Sequence, residues 1–477
     1  MAEPTLSQQL ATFAGAARTG VPGDVAHSVR QRVLDVLGLC VAAVPLPTSA
    51  AVSGLVAHQG GIEEATAVGL ARAVPASQAA FVNGVLAHSL DFDDTHLPSV
   101  LHPSSAVVPA SLAAAQASGA SGADVVPAIA VGLEVTVRLG MAGYDGDLGN
   151  SVFFEHGQHA TSICGAMGAA VAAGMLLGLD DDRLVDVLGV TASMASGIIE
   201  ANRTGGTVKR VHNGWAARSA VTAAELVARG LTGPPSVLEG RFGFFEAFLH
   251  GRVDLGAVTD GLGTDWSVPD IFFKPYPANH FTHAVVDAGL ALREQGLAPE
   301  DVARVEVRVP SAVVRTIGEP IATKRTPETG YQAQFSGPYA FAAGLCSSGA
   351  GLGVGLADYT DELATDPVRR RLMSVVEVVG DPRCDEIFPH QFPAVVVVTT
   401  TDGRTLTEEV LANRGGPGRP LSDDELATKF AVNVAGLVPD EVAAAVTDAA
   451  HRLDELPDVH GLLHPLRCIA SPVTPNH

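Results

Sequence analysis

Four short segments concentrate side chains that move protons or hold anions. The first, AHSLDFDDTHLPSVLHPSS (87–105), places three Asp, three His and a Thr within fifteen residues. The others are FFEHGQHATSICG (153–165), GGTVKRVHNGWAAR (205–218) and FFKPYPANHFTHA (272–284). Together they hold eight of the sixteen His, with Lys209, Arg210 and Lys274, in a chain that has only 30 Lys and Arg. Imidazoles, carboxylates and cations gathered in this way suit acid–base chemistry next to an anionic substrate.

Each segment has its own reading. His88 and Asp91 are three apart on a predicted helix and would share a face. Asp93, Asp94 and Thr95 follow at the helix end, and Pro98 and Pro103 prevent its continuation. Three acids at a helix C-terminus oppose the macrodipole, which favours function over a simple Asx turn. Asp and His could also ligate a metal, but no HExxH, EF-hand or single-element triad is present, so no metal is expected. Lys209, Arg210 and His212 follow TGGT and precede an Ala-rich helix. Gly-rich backbone opening a helix, with cations beside it, can bind an anion. Lys274 precedes the stiff Pro-Tyr-Pro, with Asn279, His280 and His283 after it, and suits a carboxylate as a point charge. His156 and His159 lie in a Gly-containing turn before a helix of small residues. GLGVGLAD and SGASGAD lack the dinucleotide fingerprint, no G-x-S-x-G elbow occurs, and Cys164 reads as a packed core thiol.

The elements that must position these residues change character along the chain. Helical patterns are expected at 6–17, 26–44, 77–90, 104–117, 122–139, 160–177, 182–195 and 216–228, most of them ended by Gly, Pro or Asp. Alternating, β-branched runs at 302–310, 375–381 and 394–400 predict strands, the last followed by an Asp402-Gly403 hairpin turn. Helices at 283–295 and 335–347 interleave with them, and helical patterns return at 423–433 and 440–453. The expected fold is mainly α with an inserted α+β domain: a large helical domain (1–266 and 411–477) and a smaller α+β lid (267–410).

Composition narrows the function classes. A chain of 477 residues is too long for one ordinary core. Its formal charge of -22 argues against nucleic-acid binding and leaves any anionic substrate dependent on a local cluster of cations. Five widely spaced Cys with no CxxC fit a reducing cytoplasm. No signal peptide is read at the N-terminus, and the apolar run 163–179 reads as a buried helix rather than a membrane span.

The four segments together resemble the 2-methylcitrate dehydratase (MmgE/PrpD) family, which includes cis-aconitate decarboxylase and iminodisuccinate epimerase. FVNGVLAHSLDFDDTH with HPSS, KRVHNGWAARSAVTAAELVARGLTGPPSVLEGRFGF and KPYPANHFTHAVVDA carry the resemblance. QFSGPYAFAAGL resembles a later family segment that carries a Tyr. The matches run in order over about residues 1 to 460. The resemblance implies a cofactor-independent lyase acting on a small di- or tricarboxylate, usually a homodimer, with no membrane or nucleic-acid partner. It places Asp91, Thr95, His102, His159, Lys209, Lys274 and Tyr339 at site positions. His102 is the expected general acid or base. Asp91 would orient a His or act as base, and Lys209, Lys274 and His159 would meet developing charge. Thr95 and Tyr339 would bond the substrate or donate a proton, with Arg210, His212, Asn279 and His280 lining the site. Two departures stand out: the loop from Thr95 to His102 is one residue longer than in the decarboxylase, and Asn279-His280 replaces a frequent Cys-Arg. A hydro-lyase is the expected activity. Decarboxylation, epimerisation or a non-catalytic anion-binding scaffold are the alternatives.

Overall fold

Small residues decide how closely the helices of this chain approach one another. In the computed structural model, which describes residues 3–201, 205–467 and 469, the helix Ala160–Leu176 is buried along its whole length. A Cβ on Gly168 would collide with the Gly132 carbonyl and Thr136 of the helix Gly122–Ala142. That second helix is long and apolar enough to cross a membrane by composition, yet 94% of its apolar window is buried inside the protein. It is a core helix, held at its start by a Ser121–Asp124 capping box.

The described residues form two compact units. The first contains the described residues within 3–89, 93–271 and 430–469, and the second contains 90–92 and 272–429. The boundaries differ from the expected 267 and 411 for visible reasons. Ser267 stays with the first unit because Glu134 accepts its backbone N–H at 2.8 Å. Val268 and Ile271 stay because their carbonyls accept from buried Arg32 at 3.1 and 2.6 Å. Residues 411–429 stay with the second unit because Leu421 and Leu426 pack on Phe273.

The first unit is built from both ends of the chain. Its helices include Leu6–Ala17, Gly23–Ala43, Pro47–Gln59, Ala76–His88, Ser104–Ser118, Asp181–Ala192 and Lys209–Ala228. Pro47–Gln59 has no counterpart in the sequence reading, since only Ser49, Val52 and Val56 of it are buried. The C-terminal residues complete this core. Phe430 lies against Gly38, where a Cβ would approach its ring within 2.9 Å. The Leu456 carbonyl accepts from the Gly122 N–H, and the Leu466 carbonyl from the Gly69 N–H, each at 2.9 Å.

The second unit holds one four-stranded sheet. In spatial order its strands are Val376–Gly380, Val302–Val309, Ala394–Thr400 and Thr405–Val410. The first pair is parallel with Val305 opposite Val376, and the other two pairs are antiparallel. Gly403, at φ 86°, closes the expected hairpin. His283–Glu294 and Gly337–Leu345 pack through Gly289 and Gly344, where a Cβ would come within 3.1 Å of the opposing Cα.

Candidate active site

The helix Ala76–His88 stops at His88, two residues short of the expected end. Asp91 therefore lies off the helix, in the left-handed region at φ 52°. It does not share a face with His88. A buried, non-glycine residue held there is strained, and such strain gathers at functional sites. The three acids divide among three different partners. Asp93 Oδ2 lies 2.7 Å from His88 Nδ1, with both side chains essentially inaccessible. Asp94 pairs with Arg32 at 2.8 Å and accepts from the Ser104 hydroxyl and, at 3.2 Å, its backbone N–H. Burial still raises the Asp94 carboxyl above the usual carboxylate range, although Arg32 opposes this. Asp91 belongs to the second unit, where Lys274 donates to its carbonyl at 2.8 Å and its carboxylate at 3.3 Å. Because all three acids lie beyond the helix, the expected conflict with its dipole does not arise.

The loop that follows folds back through a bridge between His96 and Leu101 and carries Val100 at φ 54°. His102 is delivered just before the helix Ser104–Ser118. Its Nδ1 lies 2.6 Å from the Asp94 carbonyl. A carbonyl only accepts, so Nδ1 carries the proton and Nε2 is the basic nitrogen. The Thr95 hydroxyl is 3.4 Å from the same Nδ1, a longer contact.

His159 occupies the N-cap position of Ala160–Leu176, its N–H bonded to the Gly197 carbonyl at 3.1 Å. Lys209 begins its helix and His212 sits in the first turn, so both lie inside the helix rather than before it. This helix approaches Ala76–His88 at two glycines, a Cβ on Gly84 coming within 2.8 Å of the Gly214 Cα. The result is a cluster of four imidazoles. The His88 ring centroid is 5.5 Å from that of His102 and 5.6 Å from that of His159. His159 and His212 meet Nδ1 to Nδ1 at 3.1 Å, so a single proton lies between these atoms. Burial, with His88 and Lys209 nearby, pushes His159 well below the usual range and His212 down to about 4. Arg210 turns away to donate to Thr48 at 3.1 Å. Thr204 of the TGGT motif lies outside the described residues. His156 is exposed beside His250 and is not part of the cluster.

The second unit gathers the remaining candidates around two centres. Near Lys274, Gln334 donates to the Leu90 carbonyl at 3.2 Å, and the Lys429 ammonium lies 4.0 Å above the Phe92 ring. Asn279 caps a short turn through the Phe281 N–H, and His280 stacks on His283 at 4.4 Å. Burial, reinforced by Lys274, pushes His283 down to about 3. Tyr339 is elsewhere in this unit. Its hydroxyl donates to the Asp358 carbonyl and accepts from Arg369 at 2.8 Å, and burial pushes its pKa up to about 12. The hydroxyl is thus engaged on both sides in this structure.

The sequence reading paired His88 with Asp91 rather than Asp93 and did not place His88 in the cluster. The available signal was the short distance between a helix-ending His and the acid pair after it. Among the described residues, no group of three or more His, Cys, Asp or Glu is arranged to hold a metal ion.

Models of the MmgE/PrpD N-terminal domain and the MmgE/PrpD C-terminal domain match residues 8–255 and 276–455. Cis-aconitate decarboxylase from Homo sapiens is 31% identical over 81% of this chain and 78% of its own length. The Aspergillus terreus enzyme of that name is 30% identical over 83% and 82%. A mitochondrial 2-methylcitrate dehydratase from Yarrowia lipolytica is 24% identical over 61% and 58%. With an imidazole cluster on its helical unit and both family domains matched in order, the chain belongs to the MmgE/PrpD family, whose relatives found here are lyases.

Proposed function

We propose that this protein is a cofactor-independent lyase that forms a carbanion next to a carboxylate on a small di- or tricarboxylate. The observation that carries the reading is the buried cluster of His88, His102, His159 and His212 with Lys209 close enough to depress two of its members. Charge that develops on an enediolate-like species is met by preorganised donors in a site that excludes water. His102, with Nε2 as its basic nitrogen, is the general acid or base. Lys209 and His159 meet the developing charge, and Thr95 bonds the substrate. In the second unit Lys274, held by Asp91, is the candidate for carboxylate binding. The proposal includes a cytoplasmic homodimer.

Between the possible reactions, similarity favours loss of CO2. The decarboxylases match at 30–31% identity over about four-fifths of the chain, the dehydratase at 24% over 61%. The hydro-lyase reading of the sequence stands second, supported by that dehydratase. The deciding experiment is incubation with cis-aconitate, citrate, 2-methylcitrate and iminodisuccinate, with products followed by NMR. Conversion of cis-aconitate with release of CO2 supports the carboxy-lyase. Loss of water from citrate or 2-methylcitrate instead supports the hydro-lyase. No turnover of any of the four overturns the proposal.

A further inference from the structure

His88 is placed like the base of a hydrolytic triad, although it performs no task in the scheme above. Its Nδ1 is bound to the Asp93 carboxylate at 2.7 Å, and its side chain is 1% exposed against 0% for Asp93. A carboxylate accepts only, so Nδ1 keeps its proton and the exchangeable site is Nε2. That Nε2 is buried and has no hydrogen-bond partner among the described residues. A satisfied structural histidine uses both nitrogens, since an unmade bond on a buried nitrogen costs about 1–3 kcal/mol. The groups that face the ring are Asp93 from its own loop, His102 from the start of Ser104–Ser118, and His159 from the start of Ala160–Leu176. His212 and Lys209 stand behind His159 on a third helix. This buried nitrogen thus belongs to the histidine at the centre of the cluster.

We propose that His88, oriented by Asp93, is a second acid–base residue of this site and that Nε2 is the atom that gains and loses the proton. The inference rests on the lyase reading. In decarboxylation the carbon–carbon bond to the departing CO2 breaks and its electron pair stays on the substrate carbon. Nε2–H delivers the proton that fills this position, and solvent returns a proton to the neutral ring. In dehydration Nε2 takes the α-proton, and the hydroxyl departs with its bonding pair as water after protonation by His102. Either way Asp93 remains a carboxylate and stabilises the imidazolium when it forms. The chain then has two acid–base groups, His88 and His102, whose tautomers are fixed by separate acceptors, Asp93 and the Asp94 carbonyl.

The test compares His88→Asn and Asp93→Asn with wild type on the same four acids, reading kcat and KM across pH together with the thermal melt. H88N is expected to lower kcat by on the order of 10²–10⁴-fold and to remove one limb of the pH profile, with the melt within a few degrees of wild type. D93N keeps the ring but loses the tautomer, and is expected to lower kcat by on the order of 10²-fold or more and move that limb. Wild-type kcat with both limbs in H88N overturns the proposal. So does a misfolded H88N accompanied by a folded D93N of normal activity and profile. If wild-type protein converts none of the acids, the lyase reading falls and the dyad is decided by nitrogen NMR of the histidine rings. In the neutral ring of His88 the proton should sit on Nδ1, with Nε2 bare. D93N should abolish that preference. A His88 ring protonated on Nε2 alone overturns the assignment.

Discussion

At the scale of the residue, the site is a set of protons whose positions are dictated by neighbours. Replacing His102 by Ala removes the nitrogen whose tautomer the Asp94 carbonyl fixes. Turnover should fall by at least about 10²-fold while the melt moves by only a few degrees. Lys209→Ala should do the same through lost charge stabilisation, and near wild-type activity in both variants refutes the assignment. The buried rings also predict how stability depends on pH. His159, His212 and His283 are all held below the ordinary imidazole value, chiefly by burial. Below about pH 6.5 the unfolded chain takes up protons that the folded chain refuses, so their contribution is full above that pH and is lost as pH falls. Melting temperature should drop from pH 6.5 toward 4, and His212→Asn should flatten part of the slope. Asp94, Glu134 and Asp287, raised by burial, act in the opposite sense in the lower part of that window. Residue types and spacing offered His159, Lys209 and Lys274 as candidates, and the family resemblance gave His102 its expected role. They could not pair them. The choice of Asp93 over Asp91 as partner of His88 depends on a chain that leaves its helix at His88 and turns left-handed at Asp91, which no spacing rule encodes.

At the scale of the element, the cluster depends on how closely two helices can approach. Ala76–His88 ends in His88, and Lys209–Ala228 begins with Lys209 and carries His212. They touch at Gly84 and Gly214, where an added Cβ meets backbone that cannot yield. Gly214→Ala should destabilise the protein by about 1–3 kcal/mol and reduce activity beyond the effect on stability, because the helices separate at the level of the site. Circular dichroism melts and kcat measured well below the melting temperature check both parts. Most helices of the first unit were legible in the sequence because Ala-rich runs end at Gly, Pro or Asp. The β-branched strands were legible for the same kind of reason. Pro47–Gln59 was not, since so little of it is buried, and neither was the length of chain belonging to the second unit. Residues 411–429 read as linker and helix, but their place is set by Leu421 and Leu426 against Phe273, a contact between distant parts of the chain.

At the scale of the whole molecule, a formal charge of -22 must be reconciled with the anionic substrate proposed above. The general field repels such a substrate, while the buried cations attract it only at short range. Salt screens the first more than the second, with a Debye length of about 10 Å at 0.1 M. KM for a tricarboxylate should therefore fall as ionic strength rises from a few millimolar toward 0.1 M, and a monotonic rise in KM would contradict this balance. The path of the chain has a further consequence. The helical unit is closed by residues that are synthesised only after the α+β unit: Phe430 covers Gly38, and the carbonyls of Leu456 and Leu466 take the N–H groups of Gly122 and Gly69. A chain ending at residue 429 holds every candidate residue named above but leaves that core open. It should fail to fold and should collect in the insoluble fraction. The nascent helices must wait, with apolar faces uncovered, through the synthesis of an entire α+β unit.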